Sequence, residues 1–440
     1  MDSYEHRSGS NGADDDGAQR RLSSQTHAHA QMHEHAHVNE HAQPHARARA
    51  RVSRTRGALA ATPADVMSGL RHACGDGDNW LRCQFELARA GSEPNLRPME
   101  GLRGFAVFLV FLVHYTTLVQ PWIVPASALG RLADALHTIG NSGVDLFFVL
   151  SGYLIYGSLI ARQQPFLPYL RRRIARIYPA FTAVLLLYIA LALTISDQEK
   201  IPMQPTQGML CVAENFLLLT GFTTRPPIIT VSWSLSYEML YYLALPLLIA
   251  AFGLRHYSPY RRAVFFSATL MVAASFCAVY GGPLRLMMFV AGILLYEAQG
   301  SVPAPGSAIT CGALLTGMAD MLLPMPLLLK MGLLFAAFFL LGLCCFSRPQ
   351  SWLARAFCFA PLRWLGNMSY SYYLLHGLVL KTAFAVLAVL VPPSPSGALF
   401  FWGGLAAMFV LTLPPCAALF ILIERPYSLT PRAAHDNSGR

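Results

Sequence analysis

A few ionisable side chains interrupt apolar runs in which such groups are costly. Of the fourteen histidines, only His114 and His376 fall well inside long apolar stretches, and Arg103, Asp145 and Glu238 break similar stretches. A charged group at that depth faces the protein interior, which makes each a candidate for chemistry. Imidazole suits proton transfer near neutral pH. Arg103 and His114 are eleven positions apart, within about 20° of one helix face and about 16 Å apart along its axis. Ser234, Glu238, Tyr241 and Tyr242 share a second face, and Ser369, Tyr372 and His376 a third. Taken singly, each could equally be a structural interhelical hydrogen bond. Glu297 and Asp320 show no partner at a readable spacing and are assigned to packing or loop ends.

Positioning these groups requires long apolar helices. Apolar runs recur at 101–120, 139–160, 178–195, 233–252, 263–280, 285–299, 308–325, 328–346, 365–390 and 400–423, lengths suited to about 30 Å of hydrocarbon. The expected fold is therefore an all-α polytopic membrane protein of about ten helices. An eleventh run, 208–222, is short, contains Glu214 and Asn215, and reads as re-entrant or interfacial. Ten spans put Arg162, Arg171, Arg172, Arg173, Arg176, Arg255, Arg261, Arg262, Arg348, Arg355 and Arg363 on one side with both termini. The opposite side holds Arg131, Lys200, Arg225, Arg285 and Lys330. The basic side is expected to be cytoplasmic. Counting depth at about 1.5 Å per residue brings His114, Asp145, Glu238 and His376 to nearly one level. The spacing predicts a single polar cavity lined by two imidazoles, two carboxylates and several hydroxyls. Four arginines, Arg171, Arg172, Arg173 and Arg176, precede the third span, where they could clamp phosphates or fix topology against anionic lipid.

Composition agrees with a membrane protein. The 440 residues are 54% hydrophobic and 13% charged, about half the charged fraction usual in soluble domains. The net charge of +10 is unevenly spread: residues 1–95 hold 11 Arg against 12 acids, and residues 96–440 hold 22 Lys or Arg against 11 acids. Basic charge confined to loops between apolar runs excludes a soluble nucleic-acid-binding domain. The nine cysteines fit neither a disulfide framework nor a zinc spacing. Residues 1–95 read as a disordered His-, Arg- and Ala-rich tail, with one short amphipathic stretch near 80–87. Seven histidines between His27 and His45 could hold a transition metal loosely, but no carboxylate or cysteine completes a site, so no metal is expected. Residues 426–440 read as a short C-terminal tail.

Five separated stretches, in order, carry a resemblance: Leu102-Arg103-Gly104 with His114 beyond; Gly143-Val144-Asp145-Leu146-Phe147-Phe148-Val149-Leu150-Ser151-Gly152; Arg171 to Pro179; Trp233-Ser234-Leu235-Ser236-Tyr237-Glu238; and Gly366-Asn367-Met368-Ser369-Tyr370-Ser371-Tyr372-Tyr373-Leu374-Leu375-His376. Over residues 96–425 the chain resembles the acyltransferase family 3 membrane proteins, the OafA/YrhL-like enzymes. The resemblance implies ten helices and transfer of an acyl group, usually acetyl, from cytoplasmic acyl-CoA to a hydroxyl. The implied acceptor is a cell-envelope or exported polysaccharide or lipid-linked sugar; some members modify small-molecule natural products instead. It also implies that Arg103 and His114 are an essential pair. Asp145, Arg173, Arg176, Glu238 and His376 fall in other family stretches. The chain as written stops about 15 residues past Glu424 without the soluble hydrolase-like domain of some members. The membrane domain or a separate protein is then expected to complete the transfer.

These readings converge on one expected site. His114, Arg103, Glu238 and Asp145 are the catalytic candidates, with His114 as base or acyl carrier and a carboxylate orienting it. Arg171, Arg173 and Arg176 are candidates to hold the acyl-CoA phosphates. His376, Ser369, Tyr372, Trp233 and Tyr241 are candidates to line the substrate cavity, and outer-mouth aromatics such as Tyr115, Trp122 and Tyr237 could stack on sugars or anchor at the interface. The rivals are a secondary transporter with a proton relay, disfavoured by the lack of an internal repeat, and a metal-sensing receptor using the histidine-rich tail.

Overall fold

A computed structural model describes residues 77–86, 96–162, 164–194, 201–202 and 204–429. The histidine cluster and most of the tail at 1–95 lie outside the described residues, as do residues 430–440.

Every described element is helical. In chain order they are α1 (Gly77–Phe85), α2 (Leu96–Val119), α3 (Ala128–Gly140), α4 (Ser142–Ala161), α5 (Phe166–Thr194), α6 (Pro205–Phe216), α7 (Trp233–Ala251) and α8 (Pro259–Tyr280). They continue with α9 (Met287–Ala298), α10 (Ser307–Ala319), α11 (Leu327–Ser347), α12 (Trp352–Phe357), α13 (Ala360–Asn367), α14 (Ser369–Leu390) and α15 (Ala398–Leu419). Among the described residues, eight helices are long and apolar enough to cross a membrane. All ten expected spans fall on helices, but the runs at 285–299 and 308–325 form α9 and α10, of 12 and 13 residues. Twelve residues rise only about 18 Å. For α9 the reason is burial: Met288, Phe289, Ala291, Ile293 and Leu295 are at most 1% exposed. Its length is set by the helices around it, not by hydrocarbon thickness. The segment 208–222 becomes the short α6 and a folded-back loop, pinned where Asn215 accepts from the Ile228 N–H at 2.9 Å.

Glycines set the closest helix contacts. A Cβ at Gly152 on α4 would lie 2.0 Å from the Phe289 carbonyl oxygen, and one at Gly292 on α9 would lie 1.9 Å from that of Val149. A Cβ at Gly104 on α2 would meet the Leu362 carbonyl oxygen at 2.0 Å, and one at Gly366 on α13 would meet that of Glu100 at 1.7 Å. Small residues let backbones approach where hydrocarbon supplies no hydrophobic drive. The second contact fixes the stretch of α2 that carries Arg103.

Buried charge closes other joints. Arg262 of α8 grips Glu297 of α9 through Nε at 2.6 Å and Nη2 at 2.9 Å, and the Tyr156 hydroxyl donates to the same carboxylate. The sequence offers Glu297 no partner at a readable spacing, only a packing or loop-end role, and places Arg262 in a loop. Their separation of 35 positions hides the pairing from any helical periodicity. Pro414 and Pro415 lie inside α15, which continues into a π-helical stretch, Phe420–Leu429. Proline and wide turns re-aim side chains. Glu424, wholly buried there, accepts from Ser371 N and Oγ at 3.0 and 2.7 Å.

Candidate active site

The first cavity, of about 890 Å³ including its mouth, is lined by Arg103, Arg173, Arg176, Glu238, Ser151 and Ser369 among others. Arg103 donates through Nε and Nη2 to Ser369 Oγ at 3.2 and 2.9 Å, so the first residue of α14 aims the guanidinium. Arg173 and Arg176 lie within α5, not ahead of it. Three positions apart on one helix they share a face, while Arg171 and Arg172 point outward and are exposed. Arg173 donates to Ser158 Oγ at 2.9 Å and stands over the rings of Tyr169 and Tyr242, 5.3 and 5.1 Å from their centroids. Arg176 pairs with Glu424 at 3.2 Å, and its buried Nη1 has no hydrogen-bond partner among the described residues. Glu238 accepts from Tyr242 at 2.5 Å and from Ser151 at 3.4 Å. Three guanidiniums sharing one lining with Glu238, one of them paired with Glu424, form a surface suited to a polyanion.

A second cavity, of about 590 Å³, is lined by His114, Thr117, Thr230, Tyr188, Lys381 and Tyr373 among others. The His114 and His376 rings meet edge to face with centroids 5.0 Å apart. His376 is wholly buried, with Nδ1 2.7 Å from the Tyr372 carbonyl oxygen. That oxygen can only accept, so it assigns the proton to Nδ1 and leaves Nε2 as an acceptor. Nε2 has no hydrogen-bond partner among the described residues. The Tyr372 ring stacks on His376 at 5.2 Å.

The single expected cavity is thus two neighbouring ones. Equal depth does not set the direction in which a helix presents a side chain: His114 and His376 meet, whereas Glu238 and Asp145 turn elsewhere. Arg103, Arg173, Arg176, Glu238 and Ser369 come together in the first, and His114 lines the second with His376 against it. Asp145 lines neither: it is fully buried, 3.8 Å from Arg285, whose guanidinium lies over the Trp233 ring at 5.8 Å. Tyr241 is also outside both, donating to Leu286 O at 3.0 Å and stacked on Phe289 at 4.0 Å. Tyr372 shares a hydrogen bond with Thr412 at 2.7 Å and lines neither cavity, meeting the site through His376. Tyr115 and Trp122 are buried, bonded to the carbonyls of Phe401 and Val391.

Several site residues escaped sequence reasoning. Among them are Ser158, seven positions from Ser151 on one helix face, Lys381, inside the apolar run 365–390, and Glu424. A visible signal existed for Glu424, a lone acid at the end of an apolar run, and for Tyr373, which shares the Ser369 face at four-residue spacing.

Helices long and apolar enough to span a membrane surround one arginine-lined and one imidazole-lined cavity, the arrangement of a polytopic membrane protein. Residues 98–421 match the family model described as an acyltransferase domain, that of acyltransferase family 3, and the chain belongs to that family. It is therefore a multi-pass membrane protein with an acyltransferase domain. Acyltransferase MdmB of Streptomyces mycarofaciens is 26% identical over 65% of this chain and 79% of its own length. Peptidoglycan O-acetyltransferase OatA of Listeria monocytogenes is 24% identical over 67% of this chain and 51% of its own. O-acetyltransferase OatA of Staphylococcus aureus is 27% identical over 39% of this chain and 28% of its own. The chain thus spans only about half, or less, of the two OatA proteins. No solved structure matches it.

Proposed function

We propose that the protein transfers an acetyl group from acetyl-CoA, bound at the arginine-lined cavity, to a hydroxyl admitted to the His114 cavity. The acceptor in this reading is a cell-envelope or exported polysaccharide or a lipid-linked sugar. The observation that carries it is that Arg103 and His114 stand on one helix about 16 Å apart and line adjacent cavities. The extended pantetheine arm of CoA is of that order of length. Arg103, Arg173 and Arg176 hold phosphate through paired N–H donors, and the thioester reaches toward His114.

In the direct form, the His114 imidazole takes the proton of the acceptor hydroxyl as its oxygen attacks the thioester carbonyl. The carbon–oxygen bond forms, the carbon–sulfur bond breaks, and the CoA thiolate recovers the proton from the imidazolium. In the carrier form, His114 is first acylated with release of CoA, and the hydroxyl then displaces the imidazole. His376 buttresses the His114 ring. Glu238, held by Tyr242 and Ser151, sets the charge balance beside the phosphates. The charge bias of the loops supports an arginine mouth and both termini on the cytoplasmic side of the plasma or inner membrane.

The test compares cells with and without the gene by mass spectrometry of envelope glycans and secreted metabolites. It is paired with transfer of labelled acetyl from acetyl-CoA by the purified protein. Loss of O-acetyl from one glycan supports the reading, and loss from a secreted metabolite moves the acceptor to natural products. No thiol release from acetyl-CoA by the purified protein, whatever the acceptor, overturns the donor assignment and leaves the transporter reading.

A further inference from the structure

We infer that Tyr373 is a positioning residue that partitions the donor cavity from the acceptor cavity, so that the acyl group reaches the acceptor only past its hydroxyl. The inference rests on the two-cavity reading above. Among the described residues, Tyr373 alone lines both cavities. It is 7% exposed, and its hydroxyl bridges two points on the facing chain: Ser234 Oγ at 2.7 Å and the Val231 carbonyl oxygen at 3.1 Å. Ser234 lines the arginine cavity and Val231 the His114 cavity, so the hydrogen bonds lie where the two meet. The ring is wedged between Phe147, at 5.9 Å, and His376, at 6.4 Å. The hydroxyl proton can go to only one oxygen at a time. Donated to Val231 it leaves Ser234 to donate back, so both groups are satisfied while the passage is shut.

An enzyme that carries a thioester toward a water-accessible acceptor must keep water from the donor until the acceptor is present. A two-bond latch of this size is opened readily by a bound substrate, because each hydrogen bond contributes only about 1 kcal/mol net. Tyr373 also touches His376, so a rotation that opens the passage reaches the imidazole pair through direct ring contact.

The test uses the full chain with Thr117→Cys, a position lining the His114 cavity, in sealed membrane vesicles of one orientation. An impermeant methanethiosulfonate reagent is supplied only from the arginine face, and labelling at 117 is read by peptide mass spectrometry, which separates it from native cysteines. Adding Tyr373→Phe, which keeps the ring and removes the latch, should speed labelling about tenfold, as expected for loss of one or two hydrogen bonds. Tyr373→Ala should speed it further. In parallel, acceptor-free release of CoA from acetyl-CoA should rise in Tyr373→Phe while transfer to acceptor falls, a split that general loss of folding would not produce. Unchanged labelling in both variants overturns the partition, as does a parallel fall of hydrolysis and transfer. If neither the parent protein nor the variants release CoA with any acceptor present or absent, the donor assignment fails, and labelling alone still decides the role of Tyr373.

Discussion

The two cavities share helices but differ in chemistry. On α2, Arg103 opens onto one and His114 onto the other. On α14, Ser369 receives Arg103, and seven residues on, His376 meets His114. The two helices thus run side by side in the same direction and touch at two levels. Eleven residues on α2 rise about 16 Å and seven on α14 about 10 Å, and the long reach of the arginine side chain takes up the difference. One pair of stripes therefore builds a guanidinium-rich chamber at one level and an imidazole-bearing chamber at the other. In the proposed reaction, anion binding and proton transfer are kept apart on a common frame, so substitutions in the two should separate kinetically.

The largest break in that comparison is expected from His114→Ala. Removing a positioned base or carrier costs about 10²–10⁴ in rate, so acetyl transfer by the purified protein should fall by about three orders of magnitude. Equilibrium binding of acetyl-CoA should stay within a few-fold. Arg103→Ala should do the reverse in kind and less in size: a rise in the KM for acetyl-CoA of about ten- to a hundredfold, as for loss of a charge-assisted contact. Arg103→Lys should recover little of it, because one ammonium cannot reproduce the paired donation to Ser369 while also facing the ligand. Equal losses of binding in both variants would erase the distinction between the chambers.

What was legible in the sequence follows the same division. Apolar run length fixes helix existence, so all ten runs are helices; it says nothing of lateral burial, and α9 could be short because protein surrounds it. Period and rise placed Arg103 and His114 on one stripe correctly, since both are properties of a single helix. The meeting of different helices was not legible. Asp145 was placed by depth beside His114, but Arg285, 140 positions away in the chain, holds it elsewhere. The pairs Arg176–Glu424 and Arg262–Glu297 are invisible for the same reason: no periodicity links residues on separate helices.

The Arg262–Glu297 joint offers a smaller effect that separates support from chemistry. Removing one partner of a buried pair costs about 3–5 kcal/mol because the other charge stays buried unpaired. Glu297→Gln should therefore lower the melting temperature of the detergent-solubilised protein markedly, while activity per folded molecule stays near that of the parent. A change in the KM for acetyl-CoA, with folding intact, would tie α9 to the arginine chamber.

The smallest expected effect lies at the N-terminal side. Removal of residues 1–76 should leave acetyl transfer and thermal stability unchanged. Extending the deletion through residue 90 should not be silent. Phe85 stacks on Phe420 with ring centroids 5.7 Å apart, its carbonyl accepts from Asn367 Nδ2 at 2.9 Å, and Arg425 donates to the Cys83 carbonyl at 2.9 Å. Phe420 and Arg425 flank Glu424, which holds Arg176 in the arginine chamber. Loss of these contacts should loosen the π-helical stretch and raise the KM for acetyl-CoA several-fold, the scale of one or two hydrogen bonds, with His114-dependent turnover little altered. Activity lost already on removing 1–76 would instead give the histidine-rich tail a role in function and favour the metal-sensing alternative. The two truncations, compared by KM and by melting temperature, thus separate a tail that senses from a short helix that braces the donor side.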